Sequence, residues 1–276
     1  MSGYTVSKGR TFSDIDLLVP KQILDLVEKK LLVYGWIADK VDEYDQMYYR
    51  KWAHEIPPLR HCSRQTLLDV HHNLVPLISG KAPDISLFTQ ETVAVYDGKA
   101  KVLSPYAMTL HSAVHLFYQE EYHNGFRDLA DLNLMFIEFG HNKDYWQSLF
   151  DLAEKSDFKL ELALACRYSS LLFDSPIPVP WLQKSTMFIP SKIKLILLDW
   201  IFVKVLQPHH PLCNIKSLAL ANSLATLRGH WIKMPLHILI IHTTVKTYKG
   251  LVELVAGRGA LKKTAEKKSA DNLQDF

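Results

Sequence analysis

Along the first hundred residues, apolar and polar positions alternate over short stretches. Ile15, Leu17, Leu18 and Val19 form an apolar run interrupted by Asp14 and Asp16. This pattern predicts a strand that turns both carboxylates to one face and buries its apolar residues. Pro20 suits the first turn of a helix, and Ile23, Leu24, Leu26, Val27, Leu31 and Leu32 follow at helical spacing until Gly35 ends the run. Four shorter pieces come next, residues 36–41, 45–49, 55–60 and 66–71, separated by polar or proline-containing turns. They predict a small, mostly antiparallel sheet. In the last piece Leu67, Asp69 and His71 alternate with Leu68 and Val70, so Asp69 and His71 are expected on one face and His72 on the other.

After Pro105 the period lengthens. Met108, Leu110, Val114, Leu116 and Phe117, then Leu129, Leu132, Leu134, Phe136 and Ile137, are spaced for helices, and residues 145–155 and 159–173 add two more. The stretch Pro176 to Pro180 breaks the pattern and is the best linker candidate. Residues 191–255 are again apolar and expected to be helical, whereas the Lys-rich segment 257–276 is expected to be disordered. The fold class expected is therefore α+β. A small mixed or antiparallel sheet with flanking helices occupies residues 1–104, a helical region 105–256, and a tail the remainder.

Composition changes this picture little. At 276 residues and 48% hydrophobic, the chain can bury a real core. A net charge of +3 gives no reason to make nucleic acid an obligatory partner. Cys62, Cys166 and Cys213 show no metal-ligand spacing, and the first ten residues lack the apolar run of a signal peptide, so a cytoplasmic location is expected. The apolar stretch from Met234 to Val245 is too short to span a bilayer, and no transmembrane segment is expected.

The chemistry lies with the carboxylates. Nucleotidyl transfer needs the charge of a triphosphate neutralised and its reacting oxygens aligned, which two metal ions with hard oxygen ligands can do. Two aspartates on one strand and a third on a neighbour suffice for magnesium, which keeps much of its shell for water and phosphate. Asp14, Asp16 and Asp69 fit that requirement, although by spacing alone such a pair also fits a solvated strand edge. His71, on the Asp69 face, is a candidate to support a carboxylate or contact phosphate. His54 and Glu55 precede Pro57-Pro58, where they can orient an active-site group or bond the end of the sheet. Arg10 is placed to reach a phosphate. His111 and His115 are one helical turn apart and need further ligands to hold a metal; otherwise they face the cleft or the core. Arg127 and Asp131 have the spacing of a surface ion pair, leaving Asp128 to face the cleft.

The run R-T-F-S-D-I-D-L-L-V-P from Arg10 to Pro20 closely resembles the metal motif of the bacterial family called uncharacterised nucleotidyltransferases, a branch of the DNA polymerase beta superfamily. His54 to Leu59, Leu67 to Leu74, Leu103 to Leu116 and Arg127 to Leu132 resemble its successive blocks in order, over roughly residues 8 to 180. The resemblance implies that residues 1–104 are a catalytic core with Asp14, Asp16 and Asp69 as catalytic and metal-binding residues. Arg10, Ser13, His54, Glu55 and His71 then fall at substrate-contacting positions. It also implies Mg2+, with Mn2+ as the alternative, and a nucleoside triphosphate, ATP by default. The acceptor, whether small molecule, saccharide, RNA or protein, stays open. Superfamily members carry a Gly-Ser turn on a helix ahead of the first aspartate, where backbone amides hold the triphosphate. Thirteen residues precede Asp14, so a core without that helix is expected. This keeps a catalytically inactive, nucleotidyltransferase-fold binding protein as the alternative to an enzyme. A toxin-like enzyme acting on transfer RNA or protein is a third reading.

Overall fold

The computed structural model describes residues 4–8, 14–39, 41–210, 212–213 and 215–256. Arg10, Ser13 and the segment 257–276 lie outside the described residues. The molecule is α+β, as expected. Strand β1 (Asp14–Leu18) is followed by helix α1 (Leu24–Val33) and strand β2 (Trp36–Ala38). After helix α2 (Glu43–Lys51) come β3 (Leu59–His61) and β4 (Leu67–His71). The four strands form one sheet in the order β1-β4-β3-β2. The β2–β3 and β3–β4 pairs are antiparallel and β1 runs parallel to β4, so the sheet is mixed with antiparallel pairs in the majority, as expected.

Gly35 ends α1 at φ +85°. A side chain there would be strained by that backbone, and its Cβ would meet Cys62 Sγ at 2.9 Å.

Two expectations are corrected in this half of the chain. Residues 45–49 are helical, because Asp42 caps α2 by accepting a hydrogen bond from the Asp45 N–H at 3.0 Å. Tyr44, Tyr48 and Trp52 then recur at intervals of four, and Tyr48 and Trp52 pack against Met234, Ile238 and Leu239. The apolar residues of β1 are also not all buried: Ile15 is 53% exposed and Leu17 37%. They share a sheet face with Leu68 and Val70, which pack with Val27 and Leu31 of α1, but β1 lies at the edge beyond that cover.

A hairpin the sequence did not predict follows, β5 (Thr92–Val95) and β6 (Ala100–Leu103), closed by positive-φ residues Tyr96, Asp97 and Gly98. The helical region begins with α4 (Pro105–Tyr118), preceded by the single-turn α3 (Ser86–Thr89). It continues with α5 (Gly125–Phe139), α6 (Lys143–Lys155), α7 (Lys159–Phe173) and α8 (Val179–Met187). The last three are α9 (Lys192–Val205), α10 (Leu218–Lys233) and α11 (Leu236–Ala256). Helix α4 packs against α5, α6, α7 and α10, and its inward residues Leu110, Ala113, Leu116 and Phe117 are fully buried. The proposed linker is part of this packing, since Ile177 is buried in the same apolar cluster.

Helix α10 sits close enough to cap the end of α4. Arg228 donates to the Phe117 carbonyl at 2.6 Å, satisfying an acceptor in the last turn of α4 at the negative end of its dipole, and Thr226 donates to the Glu120 carbonyl just beyond the helix at 2.8 Å. Gly229 permits this approach, because a Cβ there would lie 2.7 Å from the Gln119 carbonyl oxygen. Gly229→Ala is therefore expected to destabilise the chain by about 1–3 kcal/mol, since overpacking against backbone outweighs alanine's helix preference. Urea unfolding of the two chains measures it.

Candidate functional site

The register of β1 against β4 builds the site. Asp16 is the direct partner of Asp69, and Leu18 that of His71, so Asp14, Asp16, Asp69 and His71 share the sheet face opposite α1. Asp14 and Asp16 are exposed, and Asp69 is half-buried.

His54, Glu55 and Ile56 extend the sheet beside the end of β4. Ile56 N–H donates to the Val70 carbonyl at 3.1 Å, His72 N–H donates to the His54 carbonyl at 2.8 Å, and Glu55 bridges to His71. Pro57 and Pro58 have no N–H to continue the ladder, which separates this segment from β3. As a result the His71 ring lies between two carboxylates, with Nε2 3.2 Å from Asp16 Oδ1 and Nδ1 3.3 Å from Glu55 Oε2. His72 turns inward and is buried.

The electrostatics follow this layout. The hydrogen bond from His71, joined by the His71 charge, holds the Asp16 carboxyl below the usual range. Burial, then the charges of Asp16 and Asp14, push Asp69 up. Burial also works against a charged His71, but the Asp16 hydrogen bond and the charges of Glu55, Asp16 and Asp69 prevail and raise its pKa. Glu55 is raised, chiefly by burial. Burial pushes His54 down to about 3.

Helix α4 carries His111 and His115, with ring centroids 6.3 Å apart. Both feel the charge of Asp16, and burial lowers both pKa values, His111 to about 4. Arg127 grips the neighbouring Asp128 carboxylate with two hydrogen bonds at 3.0 and 3.1 Å, and the Asp128 charge reaches His115.

Lys233 is a site residue that no motif pointed to. It is held by Glu120 at 2.7 Å, and its positive charge acts on His54, Glu55 and His115. No local pattern marks it, because it meets the site from α10. A cavity of about 770 Å³ lined by Thr92, Tyr106, Glu138, His141 and Tyr145 lies elsewhere and contains none of the candidate residues.

The sheet and the charges that α4 shares with it define an α+β protein that gathers carboxylates and histidines around one sheet face. The family model described as uncharacterised nucleotidyltransferase matches residues 1–174, and the chain belongs to that family. No curated protein and no solved structure matches it. Residues beyond the match still pack with it, since Phe202 of α9 touches Phe117 and Tyr168. Among the described residues, no helix is long and apolar enough to cross a membrane.

Proposed function

We propose that the chain is a metal-dependent nucleotidyltransferase, moving a nucleoside monophosphate from a nucleoside triphosphate, ATP by default, to an acceptor hydroxyl. The observation that carries this reading is the pairing of Asp16 with Asp69, with Asp14 two residues away on the same face. Three carboxylates crowded on one face repel one another, and this all-oxygen donor set suits Mg2+ or Mn2+. Asp14, Asp16 and Asp69 would hold the metal, which when bound neutralises phosphate charge and aligns the reacting oxygens.

The chain's own groups do the rest. His71, clamped between Asp16 and Glu55, fixes the orientation of the Asp16 carboxylate. Asp69, directly opposite Asp16, is placed to accept the proton lost by the acceptor hydroxyl. The hydroxyl oxygen bonds to the α-phosphorus, the bond from that phosphorus to the bridging oxygen breaks, and pyrophosphate leaves with the electron pair.

Calorimetric titration with Mg2+ and each nucleoside triphosphate tests this reading, comparing the native chain with an Asp14→Ala, Asp16→Ala variant. Metal-dependent binding is expected, weakened at least about a hundredfold in the variant, or roughly 2.7 kcal/mol. A well-folded native chain that binds no triphosphate would sink the enzyme reading.

A further inference from the structure

Beyond the aspartates, the same sheet face ends in a group of different ligand chemistry. His54, Glu55 and His71 each offer one ligand atom, and these atoms lie within 4.8 Å of one another. We infer that these three residues form a second cation site, selective for a borderline transition metal such as zinc over magnesium. The inference stands on ligand type and geometry and does not depend on nucleotidyl transfer.

Two imidazoles and one carboxylate are the donor set of zinc, cobalt and ferrous sites, whereas magnesium favours oxygen alone. The spacing already suits such an ion. His71 Nδ1 and Glu55 Oε2 are 3.3 Å apart. Metal bonds of about 2.0–2.1 Å at tetrahedral angles separate neighbouring ligand atoms by about 3.3–3.4 Å.

His54 supplies the third ligand. Its Nδ1 is buried with no hydrogen-bond partner among the described residues, a costly state for a polar atom. Its ring centroid lies 5.4 Å from that of His71.

The backbone holds the group in place, because Glu55 and His71 bridge directly and the His54 carbonyl accepts from His72 N–H. Outside the group, Asp16 Oδ1 lies 3.2 Å from His71 Nε2. A carboxylate on the far nitrogen of a ligating histidine fixes its tautomer and strengthens it as a ligand. One histidine thus links the two cation sites, with Nδ1 turned to the nitrogen-rich group and Nε2 to the aspartate face. Three protein ligands leave a coordination position for water or a phosphate oxygen.

Cobalt(II) alone is the probe, added to the full chain after chelator treatment, with no nucleotide and no magnesium, and followed by its visible d–d absorption. One tightly bound equivalent, displaced by zinc, is expected. His54→Gln and Glu55→Gln are each expected to weaken it by at least about a hundredfold, and Asp16→Asn by about ten- to a hundredfold, as removal of an outer partner does. Asp14→Asn leaves the cobalt affinity in place. No cobalt binding overturns the inference, and so does a signal that survives His54→Gln but vanishes in Asp14→Asn. X-ray absorption of the zinc-loaded native chain keeps the test decisive if a variant fails to fold: two imidazoles are expected, and an oxygen-only shell overturns the site. Cobalt binding together with a failed triphosphate titration would remove the transferase reading alone, and the reverse result would remove the second site alone.

Discussion

Replacing Phe202 with alanine is expected to lower the free energy of unfolding by about 3–5 kcal/mol, the usual cost of deleting a fully buried aromatic side chain. Phe202 is fully buried on α9 and meets the rings of Phe117, Tyr122 and Tyr168 at centroid distances of 5.2, 5.6 and 5.6 Å. The guanidinium of Arg228 lies 5.4 Å from its ring centre. Phe117 and Tyr168 fall inside the stretch that matches the family and Phe202 outside it, so the loss would show that α9 completes the core on which α4 rests. Trp200, on the same helix but 37% exposed, is the control. Its alanine variant is expected to cost about 1 kcal/mol or less. Chemical unfolding of the three chains decides the matter, and equal losses at Phe202 and Trp200 would contradict this account of the core.

Acid is expected to weaken the chain through His111. Burial holds this ring at a pKa of about 4 against an ordinary 6.5. Around it, His115 and His71 oppose a positive charge and Asp16 favours one. The folded state therefore binds fewer protons than the unfolded state between those values, and stability rises with pH across that window. The contribution is complete above about pH 6.5 and is lost as pH falls toward 4. At about 1.4 kcal/mol per pH unit the ceiling is about 3 kcal/mol, and the partial exposure of His111 trims it to about 2. His111→Gln is expected to flatten this slope, with only a small change at Asp16, whose carboxyl feels the His111 charge. Urea midpoints at pH 7 and pH 4.5 for both chains measure the difference, and parallel slopes would rule the mechanism out.

The sequence carried the pieces of the site better than their assembly. The alternation around Asp14 and Asp16, and again around Asp69 and His71, is a property of neighbouring residues, so both strands were legible. That Asp16 stands directly against Asp69 depends on which strands pair and in what register. The misread segment 45–49 has a local part, the Asp42 cap, and a distant one. Its helix is confirmed by the packing of Tyr48 and Trp52 on α11, far along the chain. The exposure of Ile15 and Leu17 reflects the place of β1 at the sheet edge, which no period reveals.

His54 and Glu55 were singled out for their place before two prolines, yet their convergence with His71 follows from the bridge between Glu55 and His71. Lys233 left no local trace, because it reaches the site only once α10 docks on the end of α4. Sequence by itself determined the family blocks, the elements with strong periods and the residue types available for chemistry, since each is set by short-range spacing. Tertiary structure alone decided the strand register, the edge position of β1 and the clamping of His71 between two carboxylates, because these depend on contacts between segments far apart in the chain.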